Sequence, residues 1–102
     1  MEDEIIFTGY AFLDDKIIVG PNSIANIKLW FDNPINSNSI ISLVINDKFN
    51  DKNVALLNNV IIYNVGDYIK VKLLNLNNKS IYINPKDEIC SAVIILKEGE
   101  DE

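Results

Sequence analysis

The stretch "YINPKDEICSAVIIL", residues 82–96, reads as a short strand, a sharp turn and a second strand. The turn is built on Asn84, Pro85, Lys86 and Asp87, where proline presets φ and Asn and Asp tolerate turn geometry. The second strand does not alternate. Cys90, Ala92, Ile94 and Leu96 fall on one face, and Ile89, Val93 and Ile95 share the other, with only Ser91 polar. A strand apolar on both faces must be covered on both. In a chain of 102 residues the second cover is expected from another copy, so Ile89, Val93 and Ile95 are interface candidates.

The same logic extends outward. Short apolar runs separated by Asn, Asp, Gly and Pro clusters predict an all-β sandwich or barrel. Strands are expected near 4–7, 16–19, 24–31, 40–45, 54–57, 60–63, 67–76, 80–83 and 89–96. The breaks are "GPNS", "DNPINSNS", "NDKFNDKN", "NN", "NVG", "NLNNK" and "NPKDE". No 3.6-residue period persists over three turns, although "DKNVALLNNV" has room for one helical turn. In "IANIKLWF" the residues Ala25, Ile27, Leu29 and Phe31 share a face, which leaves Trp30 outward beside Lys28. In "DYIKVKLLNL" the core face is Ile69, Val71 and Leu73. An outward Trp is a common interface anchor, and a covering loop would instead make it core. One domain is expected over 1–102, with an ordered core over 4–96 and mobile acidic ends.

Composition excludes several classes. The net charge of −6 and pI near 4.5 argue against nucleic acid and against an anionic membrane surface. No apolar run is long enough to span a bilayer, and "MEDEIIF" is too acidic for a signal peptide. The single Cys excludes an internal disulfide and fits a reducing compartment. Arg, His and Gln are absent while Ile and Asn abound, a bias that fits an AT-rich genome such as that of a bacterium or phage.

One segment near the start and one that contains most of the opening stretch carry a family resemblance. "GYAFLDDKIIVGPNSIANI", residues 9–27, resembles the opening of homotrimeric dUTPases, where a Gly-Tyr-Asp-Leu turn precedes a V-I-P-P-G segment. "YIKVKLLNLNNKSIYINPKDEICSAVII", residues 68–95, is similar to that family's close, where an I-K-V-L-L-I-N strand precedes a Gly-Asp-Arg-Ile-Ala-Gln turn. The phasing agrees over residues 7–96. The resemblance implies a dUTPase-like distorted β-barrel or jelly roll, assembled as a trimer, with the last strand near the threefold axis.

The chain departs from the family where catalysis resides. Leu43, Val44 and Ile45 stand where the family binds triphosphate with Arg-Ser. "NVIIYNVGDY" faces the family's "GVIDSDYRG", which puts Ile62 at the water-activating Asp. A shifted alignment brings Asp67 and Tyr68 opposite the family's Asp-Tyr pair instead. Ala11 replaces an Asp, Glu88 a cation and Ser91 a Gln, and "KEGEDE" replaces the cationic C-terminal arm. Phosphate chemistry needs cationic donors or a metal held by carboxylates.

Each remaining candidate has a structural reading beside a functional one. Asp67 and Tyr68 read as a remnant catalytic pair or as strand-entry residues after a Gly turn. Asp87 and Glu88 read as metal ligands or as a solvated turn. Cys90 reads as a small core residue, with no His or Arg near it in sequence to activate it. No catalytic, cofactor or metal residues are assigned. The expectation is a non-catalytic structural or binding protein, a phage virion component such as a decoration or head protein, partnered with its own copies and with other virion proteins. Its place is then the virion or the host cytoplasm. The alternatives are a divergent nucleotide hydrolase completed by a partner subunit and a small phage regulator.

Overall fold

The computed structural model describes residues 6–97, and for Lys97 the backbone only. The acidic ends and the expected strand residues 4 and 5 lie outside it. Among the described residues nine strands and one short helix succeed one another: β1 Ile6–Ala11, β2 Ile17–Val19, β3 Ile24–Phe31, β4 Ser39–Ile45, α1 Asp47–Asn50, β5 Val54–Leu56, β6 Val60–Tyr63, β7 Lys70–Asn75, β8 Ile81–Ile83 and β9 Glu88–Lys97. No described helix is long and apolar enough to cross a membrane.

Seven strands form one antiparallel sheet in the order β5-β7-β3-β1-β9-β4-β6, and β2 pairs with β8 in a separate ribbon. The two outermost strands, β5 and β6, are joined only by residues 57–59. So short a link spans at most about 14 Å, whereas a flat sheet of seven strands is about 29 Å across. The sheet must therefore curl until its edges approach, which is the distorted barrel.

Three turns share one device. Gly20-Pro21-Asn22-Ser23, Asn64-Val65-Gly66-Asp67 and Asn84-Pro85-Lys86-Asp87 each close with a first-to-fourth backbone hydrogen bond, and their third residues have φ of 58°, 97° and 70°. Type II turns place a left-handed residue there and favour proline before it. The sequence breaks thus act through their Pro, Gly and Asn residues.

Inside the barrel lie Ile27, Leu29, Ile41, Leu43, Val71, Leu73, Ile83 and Ala92, all fully or nearly fully buried. The helical turn falls on "DKFN" rather than within "DKNVALLNNV". Asn46 caps it by accepting from the Lys48 N–H, and Phe49 plugs the core. Asn75, wholly buried, holds the β2–β3 and β7–β8 connections together. Its Nδ2 donates to the carbonyls of Val19, Gly20 and Lys79 at 3.0, 3.1 and 2.9 Å, and its Oδ1 accepts from the Asn77 N–H.

The last strand differs from the alternation expected of it. Two bulges shift its phase, one where Ile89 is skipped against β1 and one where Ile95 is skipped against β4. Each inserts a residue and moves the residues after it to the other face. Leu96 therefore leaves the face of Cys90, Ala92 and Ile94 and becomes exposed. Ile89 is drawn inward and is 0% exposed within the single chain, so it is withdrawn as an interface residue.

Candidate functional site

The two segments that carry the family resemblance meet in space. The Ala11 N–H donates to the Asp87 carbonyl at 2.8 Å, and the Lys86 N–H donates to the Ala11 carbonyl at 2.9 Å. Gly9-Tyr10-Ala11 is not a turn but the end of β1. A Cβ on Gly9 would stand 3.0 Å from Phe31 and 3.2 Å from Leu29, so glycine here permits close packing. Ala11 is buried, and an Asp in its place would be a desolvated carboxylate.

The carboxylates of the β8–β9 turn serve the fold. Asp87 Oδ2 accepts from the Asn84 N–H at 2.8 Å, and its Oδ1 lies 3.8 Å from Lys48 Nζ. Glu88 Oε2 accepts from Asn46 Nδ2 at 3.0 Å. These contacts tie the turn to the helix cap. Among the described residues no three His, Cys, Asp or Glu side chains gather closely enough to hold a metal.

Asp67 and Tyr68 come after the Gly66 turn and line a shallow cleft with Trp30, Pro34 and Tyr63. Lys28 Nζ sits 4.0 Å above the Tyr68 ring, a cation–π contact that covers one face of that ring. Ile62, at the place of the family's base, is 76% exposed and points away from the core. Leu43 is buried and Val44 outward, neither able to hold a phosphate.

Two surfaces remain as candidates. The first is aromatic: Tyr10 and Trp30 face each other across β1 and β3 with ring centroids 5.4 Å apart. With Phe12 and Lys86 they border a cleft of about 430 Å³. Trp30 is thus outward and exposed, as the alternation in β3 implies.

The second surface is the outer face of β1, β9, β4 and β6. The register places Ile6 opposite Val93, Val93 opposite Ser42, Ser42 opposite Val60, and Ile40 between Leu96 and Ile62. Val44, Thr8 and Ser91 complete it. Not one of these positions is charged, in a chain of net charge −6. Contiguous exposed apolar patches of this kind mark association surfaces. Val93 lies at its centre, and Ile95 is exposed at its margin as an unpaired bulge residue. Ile6, Ile40, Val60 and Ile62 went unnoticed in the sequence, although β4 and β6 are, like β9, apolar on both faces.

Cys90 is 1% exposed, and burial pushes its thiol up to about 12 from 9.0. Because the folded form holds its proton more tightly than the unfolded form, stability is full below pH 9 and falls as the pH rises toward 12. The expected slope is about 1.4 kcal/mol per pH unit. Urea unfolding between about pH 8 and 11 should show this decline, and Cys90→Ala should abolish its thiol-dependent part. Native thiol titration should be silent until the chain unfolds.

A scan against protein-family models and a search of curated proteins found no match. Among solved structures, seven chains match. One, a native EIAV dUTPase, aligns with a TM-score of 0.68 at 12% identity, covering 92% of this chain and 79% of that one. The chain has the dUTPase-like fold.

Proposed function

We propose that this chain is a non-catalytic structural or binding subunit on the dUTPase-like fold, assembling as a homotrimer through the outer face of β1, β9, β4 and β6. The observation that carries this reading is the uncharged aliphatic face centred on Val93. Burying a Val or Ile is worth about 1.5–3 kcal/mol, so several per chain offset the entropic cost of association. Repulsion between acidic chains is screened beyond about 8–10 Å at physiological salt. The threefold symmetry comes from the family resemblance.

Absence of catalysis is supported by the residues at the family's catalytic positions. The chain has neither Arg nor His to neutralise developing charge on phosphate. Asp87 and Glu88 are engaged in the turn, and Tyr68 is covered on one side by Lys28. A virion role, as a phage decoration or head component, suits a small jelly-roll-like subunit of this composition. The cleft shared by Asp67, Tyr68 and Trp30 favours a second reading, a hydrolase completed by a partner. Incubation with dUTP and magnesium separates the two. No turnover is expected, and turnover abolished by Asp67→Asn would establish the second reading.

A further inference from the structure

The seven-stranded sheet has two edges, and they are treated differently. Helix α1 packs against β5 at one edge. At the other edge, β6 carries "VIIY" with no Lys, no Pro, no charge and no bulge, the devices that normally keep an edge strand from pairing. Val60 and Ile62 are 60% and 76% exposed.

The pairing with β4 fixes the direction of the unused backbone groups. The Leu43 N–H donates to the Asn59 carbonyl at 2.7 Å, and the register sets Ser42 opposite Val60 and Ile41 opposite Ile61. Leu43 and Asn59 are therefore a hydrogen-bonded pair. In an antiparallel ladder such pairs alternate with non-bonded ones. Ile61 and Tyr63 then turn their N–H and C=O toward β4, while Val60 and Ile62 turn theirs to the free edge. No hydrogen bond from another element reaches these groups among the described residues.

We propose that β6 is the docking edge for β6 of a second copy, related by a twofold axis through Ile61. That axis sets Val60 opposite Ile62 of the second copy. Both residues point their backbone groups across the junction, so four hydrogen bonds form without any change of register. Their side chains lie on the same face of both sheets and extend the aliphatic surface across the axis. A register shifted by one residue would oppose outward to inward side chains and lose this match. The edge contact uses the backbone groups of β6 and the trimer face its outward side chains, so edge pairing doubles the mass of whatever unit exists, monomer or trimer.

The test is Val60→Pro. Val60 begins the strand and its N–H points to the free edge, so proline removes an edge donor, spares the β4 ladder and stays apolar on the outer face. Wild-type protein should double in mass with rising concentration in sedimentation velocity, and its Val60 and Ile62 amides should exchange at least about tenfold more slowly when concentrated. Val60→Pro should lose the doubling. Ile62→Lys, which keeps the backbone donor but places a charge both at the junction and on the trimer face, should weaken the doubling and the trimer together. Amide exchange at Val60 and Ile62 that does not change with concentration, or wild-type doubling in both variants, would overturn the proposal. Loss of the trimer is read separately, in Val93→Asp, as a threefold rather than twofold change in mass.

Discussion

Val93→Asp is expected to yield a folded chain that no longer assembles through its outer face. Val93 is only half-buried in the single chain, so an Asp there is solvated and costs the monomer little. In the assembly the same position loses an apolar burial and gains an ionised carboxylate facing its symmetry mates. At about 2 kcal/mol per chain, the trimer loses about 6 kcal/mol, or roughly four orders of magnitude in association constant. Light scattering of Val93→Asp combined with Val60→Pro, which removes edge pairing, should show the mass fall to the 11.5 kDa of one chain, with the β-sheet circular dichroism unchanged. A variant that scatters like wild type would remove Val93 from the interface.

The second large effect is expected at Asn75. Asn75→Leu preserves the volume and withdraws a donor from the carbonyls of Val19, Gly20 and Lys79, and an acceptor from the Asn77 N–H. Leaving buried polar groups unpaired costs about 1–3 kcal/mol each, and water can reach some of them from the loops. The net loss is about 3 kcal/mol, or roughly 12–20 °C in melting temperature for a chain of this size. Asn58 offers the contrast. It clasps the Lys70 carbonyl and the Lys72 N–H, but on the surface. Asn58→Ala should cost only about 1 kcal/mol. Equal losses at the two sites in urea unfolding would contradict the part assigned to Asn75.

These residues also show why some of the molecule was legible in sequence. Period-two runs bounded by Pro, Gly and Asn placed eight of the nine strands closely, because alternation and turn chemistry are both local, whereas β1 runs on through Gly9 and Tyr10 to Ala11. The bulges at Ile89 and Ile95 are properties of pairing and leave no mark in a single strand, so the faces at both ends of β9 were misassigned. Asn75 is one of fifteen Asn residues, and nothing local separates it from those in turns. The helix at Asp47–Asn50 had a cap residue in Asn46 but was too short to show a period. Of the surface residues, Trp30, Val93 and Ile95 were found by alternation, whereas the apolar partners on β4 and β6 emerge only when the strand order is known.

Assembly through the outer face shows most plainly in mass. Sedimentation equilibrium of the wild-type chain at physiological salt, with Val60→Pro in parallel to remove edge pairing, measures it directly. The expected result for Val60→Pro is a single species of three times the 11.5 kDa chain mass, persisting to low micromolar concentration. A species of 11.5 kDa at tens of micromolar, with the face around Val93 open to solvent, would contradict it.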